Sequence, residues 1–288
     1  MTALRTSTGS NIANALHDHL WVTDNVNKSG GFLAGVTPVI LTYNEAPNIA
    51  RVLDKLVWAR EVLVVDSGSD DETLAICNRY ANVRSIERSF DNHASQWNFA
   101  VNEPGIKTDW VLALDADYVL SPEFIVEMDE LSEETAFAGF ATNFVYSIFG
   151  KSLRGTLYPP VITLFKPAQA TYVQDGHTQR LMVDGPVGKL QGVIYHDDRK
   201  PLSRWLWSQD RYAELEAELL TRKPMAELRI QDRLRRMLVV TPWLVPLYCL
   251  VAKRGILDGW PGVCYALQRG VAEAILSIKL IEARIREQ

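Results

Sequence analysis

A parallel, doubly wound α/β sheet with a mixed or antiparallel extension is the fold class that this sequence predicts, and three observations predict it. Short apolar runs alternate with segments of helical spacing from Val36 onward. One run, Trp110–Leu114, leads straight into Asp115-Ala116-Asp117. That places an acid pair beyond the carboxyl end of a strand, where open α/β sheets bind their ligands. From about Ala136 the alternation gives way to β-forming stretches with no long helix between them.

Residues 1–35 read as a polar leader ending at Ser29-Gly30-Gly31. Val36–Thr42 is the first apolar strand, closed by Tyr43-Asn44-Glu45, and Asn48–Val57 has helical spacing. Glu61–Asp66 is the second strand, ended by Ser67-Gly68-Ser69. Asp70 or Asp71 then caps a helix running to about Tyr80. Val83–Glu87 is a short strand, His93–Val101 a helix and Asp109–Leu114 the fourth strand. Ser121 with Pro122 behind it has the signature of a helix start. The extension comprises Ala136–Ile148, Val161–Phe165, Thr171–Val173 and Leu181–Tyr195, and Arg204–Arg222 is a long amphipathic helix. These boundaries divide the chain into a leader (1–35), one unit (36–222) made of halves 36–135 and 136–222, and a helical tail (223–288).

Composition narrows the function. The 288 residues are 47% hydrophobic and 23% charged, as in ordinary globular proteins, and the net charge is −5. A general nucleic-acid binder needs a basic surface, so no nucleic-acid partner is expected. Cys77, Cys249 and Cys264 lack metal-like spacing and suit a reducing compartment. The opening residues carry no apolar signal-peptide core, and a cytoplasmic location is expected.

Asp115 and Asp117 lie two apart in an extended stretch and so point the same way. Two neighbouring carboxylates repel unless a positive charge separates them. A hard divalent cation carrying phosphate oxygens meets that need. The alternative is an ordinary turn or cap, where Asp-x-Asp is common. Thr42, Asn44 and Glu45 would line the mouth of a nucleotide pocket, or simply form a turn and a helix start. Asp66, ending the second strand, is placed to accept hydrogen bonds from a ribose or a base edge. No Gly-x-Gly-x-x-Gly follows the first strand, which favours a nucleotide held through a metal over a dinucleotide.

Leu41-Thr42-Tyr43-Asn44-Glu45, Val64-Val65-Asp66-Ser67-Gly68-Ser69-Asp70-Asp71 and Leu114-Asp115-Ala116-Asp117, in that order, resemble a family 2 glycosyltransferase of the GT-A fold. Gln96-Trp97-Asn98-Phe99-Ala100 and Arg254-Gly255-Ile256-Leu257-Asp258-Gly259-Trp260 narrow the resemblance to the lipopolysaccharide core β-glucosyltransferase-like branch. The resemblance implies that Asp66 holds the uracil or ribose of a nucleotide sugar, with Thr42, Asn44 and Glu45 around it and Gln96 and Asn98 bordering the donor pocket. It implies that Asp117 ligates Mg2+ or Mn2+ on the diphosphate, and that Asp115 supports the ribose or the metal.

Relatives often carry a further acid where this chain has Tyr118, and His196, ending an apolar strand, is the candidate for the missing ligand. Asp175, then His177, is the candidate base for the acceptor hydroxyl, although relatives tend to have His-Glu where this chain has His177-Thr178. Gln209-Asp210-Arg211-Tyr212 loosely resembles a motif of processive relatives, in which Arg211 would neutralise the diphosphate. The plainer alternative puts Trp205 and Tyr212 in the core and Arg211 in solvent.

In the tail, Arg222, Lys223, Arg229, Arg233, Arg235 and Arg236 precede Met237–Ala252, an uncharged run with Pro242 and Pro246. It is shorter than the ~20 apolar residues of a spanning helix. An interfacial segment is expected, or alternatively a helix pair packed on the domain. The expected function is metal-dependent, inverting sugar transfer from a nucleotide donor, UDP by preference. The acceptor would be lipid-linked or a cell-surface polysaccharide, reached from the inner face of the cytoplasmic membrane. The competing readings are a haloacid-dehalogenase-like phosphatase or phosphotransferase and a non-catalytic nucleotide-sugar-binding membrane scaffold. The former needs its Asp-x-Asp on an early strand.

Overall fold

The computed structural model describes residues 31–175 and 178–286. A nine-stranded sheet runs in the order β3-β2-β1-β4-β8-β6-β11-β5, with β7 paired to β6. The first half comprises β1 (Val36–Thr42), β2 (Val62–Asp66), β3 (Val83–Glu87) and β4 (Trp110–Asp115). All three pairings among them are parallel. Their apolar runs are continuous because both faces are covered. Ile40, Val64 and Leu112 face one core with α1 (Ile49–Leu53), α2 (Thr73–Cys77) and α4 (Pro122–Asp129). Val39, Leu63 and Val111 face the other with α3 (His93–Val101).

Several boundaries move. The helices expected over 48–57 and 70–80 shrink to α1 and α2, single turns framed by loops. The leader's last residues do not stay outside the domain: Phe32–Gly35 forms a 3-10 turn whose Phe32 and Leu33 are buried in the first core. Ser121 caps α4 as its sequence implies, accepting a bond from the Phe124 amide.

The extension consists of β5 (Tyr118–Leu120), β6 (Gly139–Ile148), β7 (Lys151–Ser152), β8 (Val161–Phe165) and β11 (Val187–His196). β8 pairs antiparallel with β4 and β6, β11 pairs parallel with β6, and β5 pairs antiparallel with β11. The segment expected as one strand over 181–195 is two. β9 (Ala170–Asp175) and β10 (Thr178–Val183) form a separate hairpin, and Gly185-Pro186 divides β10 from β11.

β11 bulges between Lys189 and Val193. The freed amides of Gln191 and Gly192 donate to the Glu127 carboxylate of α4 at 2.8 and 2.7 Å. At Gly192 the strand meets α4 so closely that a Cβ would lie 2.4 Å from Phe124 Cα.

α5 (Leu202–Arg222) ends the unit expected over 36–222, and the tail consists of α6 (Ile230–Arg235), α7 (Thr241–Leu250) and α8 (Trp260–Arg286). Ala213, Ala217 and Leu220 of α5 bury against Leu276 and Leu280 of α8. Among the described residues no helix is long and apolar enough to cross a membrane. Gly192→Ala should cost about 2 kcal/mol of stability by overpacking the α4 seat. An unchanged urea midpoint would show that the seat yields freely.

Candidate functional site

The site forms where β4 ends and β5 begins. The register pairs Tyr118 with His196, and the Asp197 amide donates to the Asp117 carbonyl at 3.2 Å. This antiparallel pairing sets His196 Nε2 3.2 Å from Asp117 Oδ2. Asp115, Asp117 and His196 are thus brought together, as the sequence implies.

Their charges are interdependent. Burial and the Asp117 charge push the Asp115 carboxyl up to about 6, against a hydrogen bond from Tyr118. Burial also opposes charge on Asp117, but the His196 imidazole overrides it and holds the carboxyl down to about 2. His196 is raised: burial disfavours its charge, and Asp117 and Asp115 outweigh that. Its Nδ1 is buried without a hydrogen-bond partner. The rings of Tyr118, Tyr146 and Tyr158 pack at 5.2, 4.6 and 5.0 Å from the imidazole. Tyr118 and Tyr158 share a short hydroxyl–hydroxyl bond. At the position where relatives often carry a further acid, Tyr118 supplies a hydroxyl. Among the described residues no three His, Cys, Asp or Glu side chains close into a complete metal-binding group.

The strand's continuation supplies residues that the sequence reading missed. Lys200 Nζ pairs with Glu45 at 2.6 Å and approaches Asp198 at 3.9 Å. Burial lowers the Lys200 pKa, but Glu45, Asp117 and Asp198 raise it well above its usual range. Burial carries the Glu45 carboxyl up to about 7 although Lys200 opposes it. Asn48 donates to both Glu45 and Asp198 at 2.9 Å. Asp197 is held by Arg51 at 2.9 Å, by Arg199 at 2.9 Å and by the Gly150 amide at 3.0 Å. The only signal in the sequence was the run of charges after His196, which reads as a solvated loop.

Asp66 differs from expectation. It is fully buried, and its carboxylate accepts from Thr42 Oγ1 (2.8 Å), Ser69 Oγ (2.6 Å) and the amides of Gly68 (3.0 Å) and Ser69 (2.7 Å). Four donors fill its acceptor capacity, so here it shapes the Ser67–Ser69 turn with Thr42. Gly68 takes a left-handed φ of 86° there. Asn44, also left-handed, ties that turn to the first loop: its amide donates to Asp70 at 2.6 Å and accepts the Asp70 N–H at 2.9 Å.

Gln96 is buried beneath the same turn, donating to Ser67 Oγ at 3.2 Å and accepting a short bond from Arg88. Asn98 lies outside the cluster. Both ends of its amide bind the Tyr172 backbone at 2.8 and 2.9 Å, fastening the β9–β10 hairpin to α3. Arg211 lies outside it too, stacked 4.8 Å from the Trp207 ring, which Arg204 also meets at 4.1 Å. The α5 residue that senses the site is Tyr212, half-exposed and within the field of Lys200, Asp115 and Asp117. Lys200, rather than Arg211, is the lysine or arginine that pairs with Glu45 beside the acid pair. Asp175 ends β9 in register with Thr178, and His177 lies outside the described residues.

Comparison with known proteins now bears on this geometry. Residues 37–179 match the model of the family described as Glycosyl transferase family 2. Two proteins named uncharacterized glycosyltransferase, from Rickettsia felis and Rickettsia bellii, are 36% and 35% identical over 95 residues, 33% of this chain. Those matches cover 32% and 31% of the two proteins, so the chain spans about a third of the length of the curated relatives it matches. The structure of S. aureus TarS 1–349 in complex with UDP-GlcNAc is similar at TM-score 0.47 and 15% identity, covering 88% of this chain and 91% of that one. Glucosyl-3-phosphoglycerate synthase from Mycobacterium tuberculosis, in complex with phosphoglyceric acid, is similar at TM-score 0.45 and 17% identity, over 66% and 80%. Residues 37–179 are similar to the Glycosyl transferase family 2 model, and they lie on an α/β fold of the kind expected.

Lys200→Met should lower stability by about 3 kcal/mol, because Glu45 is left buried without its partner. Adding Glu45→Gln should restore most of the loss. Strictly additive losses in the double-mutant cycle would show that the two residues do not act as a pair.

Proposed function

We propose that this family 2 domain transfers a sugar from a nucleotide donor, UDP-linked by preference, to a lipid-linked or cell-surface polysaccharide acceptor, with inversion. The observation that carries the reading is the convergence of Asp115, Asp117 and His196 beside Lys200 at the end of β4. The two carboxylates are oxygen donors of the kind Mg2+ or Mn2+ takes, and His196 would join them only by giving up its contact with Asp117. Burial, and repulsion from Asp117 after it, push Asp115 up to about 6, and the repulsive part is the kind a cation relieves. When bound, the cation would act as a Lewis acid on the leaving diphosphate.

The other roles belong to the chain itself. Lys200, kept protonated, sets a fixed positive charge where negative charge develops on the leaving group. Tyr118 and Tyr158 keep their protons, since burial raises both hydroxyls, and they wall the imidazole off from water. The turn ordered by Asp66, Asn44 and Gln96 would offer its backbone and hydroxyls to the nucleoside. Asp175, with His177 as the second candidate, remains our choice of base for the acceptor hydroxyl. The free cysteines Cys77, Cys249 and Cys264 suit the cytoplasmic side of a membrane. The acid pair follows the fourth strand, which disfavours the haloacid-dehalogenase alternative.

Incubation with UDP-sugars and Mn2+ or Mg2+ should release UDP, and EDTA should stop it. Asp117→Asn should cut the rate by ~100-fold. UDP release that persists in EDTA would overturn the metal role, and no release with any donor would favour a binding scaffold. Asp175→Asn should keep donor binding and lose transfer; near-normal transfer would remove Asp175 from the base role.

A further inference from the structure

α7 and α8 lie antiparallel, joined by a turn over Gly255–Asp258. Gly270 of α8 sits against Pro242 and Pro246 of α7, and Gly262 against Gly255. The inner side of this hairpin is ordinary core: Cys249, Tyr265 and Ala266 bury with Leu153. The outer side is not. Trp243, Leu247 and Val251 follow one another at helical spacing, and Ile256, Leu257 and Trp260 continue past the turn, all strongly exposed. The two tryptophans are 81% and 84% exposed. Soluble monomers rarely present so large a contiguous apolar face to water.

Charge on this element is sparse and mostly basic. From Met237 to Ala272 the charged residues are Lys253, Arg254, Asp258 and Arg269. Asp258 is neutralised by Arg154 at 3.0 Å and accepts that residue's amide. The Arg269 guanidinium stacks near the Tyr265 ring, on the inner side. Lys253 and Arg254 are left at the tip, beside the exposed apolar residues.

The basic residues upstream, expected to flank the segment, do other work. Arg235 pairs with Glu273 at 2.9 Å and Glu216 at 3.4 Å, and Arg233 and Arg236 bind the carbonyls of Leu228 and Lys223.

We infer that the outer face of the α7–α8 hairpin docks on a bilayer surface bearing anionic lipids, lying in the interface without spanning it. Tryptophan and aliphatic side chains suit the headgroup–acyl boundary. Lys253 and Arg254 answer the anionic headgroups. A second copy meeting this face with its own outer face answers the apolar half but brings there only Asp258, already paired with Arg154.

The inference deepens the glycosyltransferase reading, and rests on it for the identity of what the bilayer delivers. The hairpin's inner side is tied to the site. Tyr265 packs 5.0 Å from Tyr146, which packs 4.6 Å from His196. The Tyr265 hydroxyl accepts the Leu157 amide at 3.0 Å, so the hairpin also steadies the loop carrying Tyr158. A docked hairpin thus sets the cleft against the surface that holds a lipid-linked acceptor.

Co-sedimentation tests this with phosphatidylcholine vesicles carrying, or lacking, about 30% phosphatidylglycerol. The full chain should pellet with the anionic vesicles, and its tryptophan emission should shift to the blue. Trp243→Ser/Trp260→Ser should weaken partitioning by about tenfold or more. Lys253→Gln/Arg254→Gln, a surface change that leaves the apolar contacts in place, should remove the preference for anionic vesicles and its salt sensitivity. A chain that stays in the supernatant would overturn the proposal, as would a tryptophan variant that binds as the parent does. A dimer in size-exclusion chromatography that the tryptophan changes dissociate, without vesicle binding, would assign the face to self-association and overturn it too. Metal-dependent UDP-sugar hydrolysis, run without vesicles, should be unchanged in both variants. Lost docking with hydrolysis intact overturns only the docking, and absent hydrolysis with docking intact overturns only the transferase reading.

Discussion

The site depends on a short antiparallel ladder, Tyr118–Leu120 against Ile194–His196. It joins the turn after β4 to the last strand of the sheet, and it alone places His196 against Asp117. Past His196 the chain must then run across the mouth of the first loop. There Asp197, Asp198 and Lys200 find Arg51, Asn48 and Glu45 at the start of α1. β11 can hold that course because β6 supports it along its length and Glu127 satisfies the bulge amides. Displacing this one ladder would separate the imidazole from the acids and leave Glu45 without its cation.

Buried ion pairs are weak evidence of stability, because desolvation offsets most of their attraction. Their concentration here needs another reason. Glu45, Asp115, Asp117, Asp197 and Asp198 share one region with Arg51, His196, Arg199 and Lys200. An apolar core of the same volume would be easier to fold. The arrangement keeps acids near neutral balance while burial, and Asp117 after it, disfavour charge on Asp115, which a proton or an added cation would relieve. Asp66 shows the contrast. Four neutral donors surround its carboxylate, and its work is the shape of a turn.

The parallel half was legible because its inner strands are buried on both faces, so Val36–Thr42 and Val62–Asp66 show as unbroken apolar runs, while the half-buried edge strand Val83–Glu87 shows only as a short bounded one. Ser121 with Pro122, and Asp115 with Asp117, were legible because each is a local signal. What escaped notice is set by pairing between distant segments. β5 has three residues and no pattern of its own. Lys200 sits in a charged run that a sequence presents as solvated. Asn98 and Arg211 were placed by motif, yet an amide can equally well bind a strand backbone, and a guanidinium can stack on the tryptophan one turn away. Motif spacing says which residues could reach a site, and tertiary hydrogen bonding decides which do.

Between the hairpin and the acid pair the described residues pack ring against ring. Tyr265, Tyr146 and His196 form a run of packed rings, and Tyr158 and Tyr118 close it from the side. Close-packed interiors transmit displacement because they have few voids to absorb it. Whatever fixes the outer face of α7 and α8 therefore also fixes the side of the cleft on which an acceptor would approach. The turns after β1 and β2, which we propose as the donor side, are held together separately by Asn44 and Asp70. The two substrates of a transfer reaction would then meet parts of the fold with separate supports, and the Asp117–His196 contact is where those supports join.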